Sequence, residues 1–236
     1  MLIHGWGMNS QVWADIGKAL EENNTVGYVN LPGHGDVTNV SLESLKQIAD
    51  LLAAEILQPV TVIGWSLGGL VAQALAKHHA DVCTKLVLIA STVCFRQRDD
   101  WQAAMPQDVM DRFQQSLESD YEKTVKQFLA LQFIGTKNSK QFSRQFQEGI
   151  LNFPPNPQAL RQGMQLLLDT DLRPYELACE MTWLFGAKDR IVPVAAAEAI
   201  QCLYPHSTIE IFKDAGHAPF ISEPETVLST LKAKLP

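Results

Sequence analysis

The chain has 236 residues, 46% of them hydrophobic, with a formal charge of −7 at pH 7 and a pI near 5.3. That length can bury one core without disulfides or metals, so a single independently folding domain is expected. The acidic balance excludes a nucleic-acid footprint, which needs clustered positive charge to displace counterions from phosphates. Cys83, Cys94, Cys179 and Cys202 are scattered without a C-x-x-C spacing and read as reduced thiols. There is no charged start followed by an apolar h-region. No apolar run approaches the roughly 20 residues that cross a bilayer, so a cytoplasmic, membrane-free protein is expected.

In chain order, apolar and β-branched runs alternate with amphipathic stretches, the pattern of a parallel sheet covered by helices. Strands are predicted at residues 2–4, 25–30, 60–64, 85–90, 181–185 and 208–212. Helices are predicted near 11–21, 42–57, 67–79, 194–203 and 225–234. Between about 94 and 178 the alternation stops, leaving only helix-like segments punctuated by Gly135-Thr136 and Pro154-Pro155-Asn156-Pro157. That interval is too long for a plain crossover. The expected organisation is an α/β core made of residues 1–93 and 179–236. A helical cap, 94–178, is inserted over the carboxyl ends of the strands, where open α/β sheets place their sites.

The sequence Gly64-Trp65-Ser66-Leu67-Gly68 joins the strand at 60–64 to the helix at 67–79. A serine on such a strand-to-helix turn has its hydroxyl lifted clear of the backbone, and flanking glycines let the chain fold tightly, so Ser66 is the candidate nucleophile. A hydroxyl needs a base, and His217 in Asp214-Ala215-Gly216-His217 is the candidate. Asp189 follows the strand at 181–185 and precedes a helix, where its carboxylate can accept the other imidazole N–H. It could instead be a helix cap or a surface partner of Lys188 or Arg190. The Ser…Asp…His order favours the catalytic role, because neither Asp171 nor Asp214 closes a strand in that order. The backbone N–H groups of Leu67 and of Trp6, in His4-Gly5-Trp6-Gly7, are the expected oxyanion donors. His4 and His34 are expected to satisfy backbone groups in their Gly-rich loops. Trp6 and Trp65 read equally as packing or as pocket wall.

Residues 2–8 (L-I-H-G-W-G-M), 31–35 (L-P-G-H-G), 64–71 (G-W-S-L-G-G-L-V), 128–132 (F-L-A-L-Q) and 216–222 (G-H-A-P-F-I-S) carry a specific resemblance. Together they are similar to the pimeloyl-[acyl-carrier protein] methyl ester carboxylesterases of biotin synthesis, in the α/β-hydrolase superfamily. The similarity runs through nearly the whole chain. It implies an α/β-hydrolase fold with a mostly parallel sheet, a triad at Ser66, Asp189 and His217, oxyanion and substrate contacts at Trp6 and Leu67, and a pocket aromatic at Phe128. The family ordinarily carries about fifteen residues and a β-hairpin before L-I-H-G-W-G, and that hairpin is expected to be missing here, leaving a sheet edge open.

The resemblance further implies an acidic carrier protein as substrate partner, and therefore a basic face. From Tyr121 to Gln147 there are five basic residues, Lys123, Lys126, Lys137, Lys140 and Arg144, against Glu122 alone, so the segment is +4 and the rest of the chain −11. If the stretch after Thr136 is helical, Lys137, Lys140 and Arg144 share one face while Phe142 and Phe146 point elsewhere. Lys123, Lys140 and Arg144 are the expected docking residues, with Gln127 and Gln147 standing where the family pattern would carry positive charge. The alternative is an ordinary solvated face. The expected reaction is ester hydrolysis through an acyl-enzyme, with no metal or organic cofactor and the protein acting as a monomer. A general short-chain carboxylesterase or thioesterase would use the same residues without the basic face. A non-enzymatic receptor would keep the pocket without turnover. Dehalogenase and epoxide-hydrolase chemistry would require an aspartate at Ser66.

Overall fold

A computed structural model describes residues 1–38, 41–137, 139–141, 144 and 153–235. Strands β1 (Leu2–Ile3), β2 (Tyr28–Val29), β3 (Val60–Trp65), β4 (Cys83–Ile89), β5 (Glu180–Gly186) and β6 (Thr208–Phe212) form one sheet in the order β2-β1-β3-β4-β5-β6. Every described pair is parallel. Central strands buried on both faces are continuous apolar runs, as in Leu86–Val87–Leu88–Ile89, all fully buried. At the edges Tyr28 and Ile211 are exposed.

The strand expected over 25–30 is only Tyr28–Val29, although Leu2 N–H reaches Gly27 O at 2.8 Å. An edge segment that is half exposed and includes a glycine has little burial to hold a longer ladder.

Helix α1 (Ala14–Leu20) is preceded by a 3₁₀ turn, Ser10–Trp13, where one helix over 11–21 was expected. The Asn9 side chain caps the turn by accepting from Gln11 N–H at 3.0 Å. Helix α2 (Leu45–Glu55) starts where Ser44 Oγ accepts from Gln47 N–H. Helix α3 (Leu67–His78) is buried from Leu67 to Ala76 and lies against β3 and β4.

Between β4 and β5 there is no strand among the described residues; they hold bridges at Arg96–Met105 and Arg98–Trp101, the helices α4 (Gln107–Ser119), α5 (Tyr121–Leu131) and α6 (Pro157–Asp169), and helical residues at 139–141 and 144. Asp120 ends α4 and caps α5 through Lys123 N–H at 3.1 Å. The proline cluster is the start of α6, with Pro157 in its first turn and Asn156 capping Gln158 N–H at 2.8 Å. Arg98, Asp171, Arg173 and Asp100 form an ion-pair chain that joins the segment after β4 to the segment before β5. The remaining helices are α7 (Ala196–Leu203), α8 (Pro219–Ser222) and α9 (Pro224–Lys234). Among the described residues no helix is long and apolar enough to cross a membrane.

Candidate active site

Ser66 sits between the end of β3 and the first residue of α3 with φ 54° and ψ −118°. A non-glycine residue there is strained, and the surroundings must hold it. They do so through backbone bonds: Ser66 N–H to Ile89 O at 3.0 Å, Gly69 N–H to Ser66 O at 2.9 Å, and Ser91 Oγ–H to Ser66 O at 2.8 Å. Gly68 meets the end of β1 so closely that a Cβ would collide with the carbonyl oxygens of Ile3 and His4. That contact brings the loop after β1 to the Ser66 turn. In it, a Cβ on Gly5 would lie 3.2 Å from Ser66 Cβ.

The loops after β5 and β6 supply the other two groups. His217 Nδ1 and Asp189 Oδ2 are 2.8 Å apart, and both side chains are fully buried. Asp189 Oδ1 accepts from Ile191 N–H at 2.7 Å and Val192 N–H at 3.0 Å, so one carboxylate oxygen is fixed by main chain while the other faces the imidazole. Asp189 caps no helix, because α7 starts at Ala196 with Ala195 at its N-cap; its Oδ1 instead closes the loop after β5 while its Oδ2 faces the imidazole. Lys188 is committed to Asp214 at 2.7 Å, and Asp171 to Arg173 at 2.6 Å. Neither competing aspartate is directed at the imidazole.

His217 is held through its backbone as well. Its N–H donates to Gln132 O at 3.0 Å, and its carbonyl accepts from Trp65 Nε1–H at 2.7 Å. Trp65 is itself locked edge-on against Phe220 at 5.1 Å. His217 Nε2 is buried with no hydrogen-bond partner among the described residues. A buried ring nitrogen left open in this way is available to take a proton, and such contacts often tighten only when substrate is present.

The N–H of Leu67 is the first of α3, with no carbonyl one turn earlier in the helix to receive it. Trp6 is buried. Its indole N–H donates to Leu160 O of α6 at 2.9 Å, and its ring meets Phe128 edge-on at 4.9 Å and Phe113 at 5.4 Å. Trp6 therefore joins the loop after β1 to the inserted helices. Phe128, Phe113 and Trp6 form one aromatic cluster.

Three groups here carried no spacing signal. The Trp65 indole and the Gln132 carbonyl act through main-chain bonds that no motif encodes. The Gln132 side-chain amide is fully buried, with no hydrogen-bond partner for either polar atom among the described residues, and only its place in F-L-A-L-Q marked it.

The basic residues lie apart from this cluster. Lys123 and Lys126 are exposed on α5 and, with Asp120, Glu122, Gln127 and Ala130, line a shallow depression of about 440 Å³. Residues 139–141 and 144 are helical, and Lys137, Lys140 and Arg144 are exposed. Phe142, Phe146 and Gln147 lie outside the described residues.

A parallel sheet with a strained serine turn at one strand's carboxyl end, and an Asp–His pair from two later strands, is the arrangement of an α/β hydrolase. Residues 1–230 match the model of the alpha/beta hydrolase family, and the chain belongs to that family.

Among curated proteins it is similar to a pimeloyl-[acyl-carrier protein] methyl ester esterase of Vibrio vulnificus, 38% identical over 96% of this chain and 89% of the relative. A protein of the same name from Photobacterium profundum is 40% identical over 98% and 92%. Among solved structures, an esterase from Exiguobacterium antarcticum superposes with a TM-score of 0.89, covering 99% of this chain and 90% of that one. At 23% identity it speaks to the fold alone.

Proposed function

We propose that this protein is a serine carboxylesterase that hydrolyses the methyl ester of pimeloyl-[acyl-carrier protein], releasing methanol in biotin synthesis. The observations that carry the chemistry are the buried 2.8 Å His217–Asp189 contact and, in the turn after β3, a serine held at φ 54°. The relatives' shared name supports the substrate.

Ser66 Oγ attacks the ester carbonyl as His217 Nε2 takes its proton, and the N–H groups of Trp6 and Leu67 receive the oxyanion. As the tetrahedral intermediate collapses, His217 protonates the departing methoxide to methanol. A water deprotonated by His217 then cleaves the acyl-enzyme. Asp189 keeps Nδ1 protonated and stabilises the imidazolium.

Residues 94–178 act as a cap over this site, with Phe128 in the pocket wall. Lys123, Lys140 and Arg144 meet the acidic carrier, so chain length and docking, rather than intrinsic reactivity, direct the distal ester to Ser66. The protein works in the cytoplasm as a monomer.

Methanol release from the carrier-linked methyl ester, beside free short-chain esters and Ser66→Ala, tests this reading. Carrier-linked turnover far above the free esters, lost in the variant, is expected. Equal rates on both would leave a general esterase.

A further inference from the structure

Outside the Asp189–His217 pair, two more histidines, His4 and His34, are fully buried, and the mechanism above uses neither. His4 Nδ1 lies 2.8 Å from Gly5 O, and its Nε2 lies 3.0 Å from Leu31 N. A carbonyl only accepts and an amide N–H only donates. The ring is therefore the neutral tautomer protonated at Nδ1, donating to Gly5 and accepting from Leu31. Burial, and after it the His34 ring 5.2 Å away, push its pKa down to about 3, so the ring keeps this form at any working pH.

Gly5 C=O and Trp6 N–H belong to one peptide unit. In a trans peptide the two point in opposite directions, and no described peptide bond is cis. A donor on the oxygen therefore fixes the direction of the N–H and polarises it. Met8 N–H also reaches Gly5 O, at 3.3 Å, closing the turn from within. His4 adds an anchor outside that turn, in Leu31-Pro32-Gly33-His34-Gly35, which is itself braced by His34 Nδ1 on Pro32 O at 2.9 Å.

We propose that His4 is a positioning residue for the oxyanion donor: bridging Gly5 O and Leu31 N–H, its imidazole sets the plane of the Gly5–Trp6 peptide so that the Trp6 N–H faces the carbonyl held by Ser66. This rests on the reading of that N–H as an oxyanion donor.

The test uses the full chain and p-nitrophenyl butyrate, with an alkyl trifluoromethyl ketone as probe, because the oxyanion of the hemiketal it forms with Ser66 occupies the same hole. His4→Ala is expected to lower kcat about 10- to 100-fold with KM within about twofold, and to weaken ketone affinity in parallel. His4→Gln, whose amide offers one donor and one acceptor, is expected to recover part of both. If His4→Ala does not fold, His4→Asn, too short to span both partners, is expected to show the same paired loss.

A folded variant with kcat and ketone affinity within twofold of the parent overturns the proposal. So does a kcat loss that leaves ketone affinity unchanged. Ser66→Ala separates the layers: inactive Ser66→Ala beside unaffected His4 variants removes only this proposal, whereas an active Ser66→Ala removes the nucleophile reading and this one with it.

Discussion

Around Ser66 several buried groups are fixed by hydrogen bonds with a main-chain atom on at least one side: Asp189 accepts from two N–H groups, His217 donates through its N–H and accepts at its carbonyl, and Ser66 O accepts from Ser91 Oγ–H. On α5 and the residues after it, Lys123, Lys126, Lys137 and Lys140 stand in solvent. The first region is preorganised, so a small displacement there costs rate. The second is a field of exposed charges, whose effect is on encounter and is screened by salt. In the proposed function, chemistry belongs to the first region and choice of substrate to the second. The Trp6–Phe128 contact and the Gln132–His217 bond are where the two meet.

The comparison breaks most sharply at the nucleophile. Ser66→Ala should lower kcat on any ester by about 10⁴-fold or more, read as initial rates on p-nitrophenyl butyrate. Asp189→Asn should cost about 10² to 10⁴-fold, because an amide cannot both accept from Ile191 and Val192 and enforce the Nδ1-protonated tautomer. On the charged side, Lys123→Glu with Lys140→Glu should raise KM for the carrier-linked ester about tenfold at low salt, leave a free short-chain ester unchanged, and flatten the salt dependence.

Trp65→Phe tests the scaffold instead. Leaving the buried His217 carbonyl unbonded should cost about 1–3 kcal/mol. For a chain of this size that lowers Tm by roughly 3 to 10 °C in a calorimetric scan.

Stability is also expected to depend on pH. Burial holds His34 at about 4 and His4 at about 3, below their unfolded values, so between those limits and about pH 6.5 the unfolded chain binds more protons. Stability is then complete above about pH 6.5 and declines as pH falls toward 4. The urea midpoint should start to drop before carboxylates titrate.

Much of the core was legible because its signals are local. Glycines around Ser66, an aspartate after one strand and a histidine after the next each mark a turn, and the alternation of apolar runs orders the strands. The legible part ends where long-range packing decides. Nothing in residues 25–27 says that an unburied edge would shorten β2. No pattern announces that the Trp65 indole reaches across 152 residues to the His217 carbonyl. Asp189 read as either helix cap or partner of the imidazole because the sequence does not show that the helix begins only at Ala196, with Asp189 left in the loop before it. The helices between β4 and β5 were readable in kind, and the prolines that looked like a break turned out to start α6.

The central claim is that Ser66 attacks the distal ester and spares the thioester, and the covalent intermediate reports this directly. Rapid mixing with pimeloyl-carrier methyl ester followed by acid quench and mass spectrometry should trap a conjugate in which the carrier remains joined to Ser66 through the pimeloyl chain, with methanol released. A methyl pimeloyl group on Ser66 with the carrier thiol set free would show thioester cleavage instead, and an unmodified Ser66 during turnover would contradict the nucleophile itself.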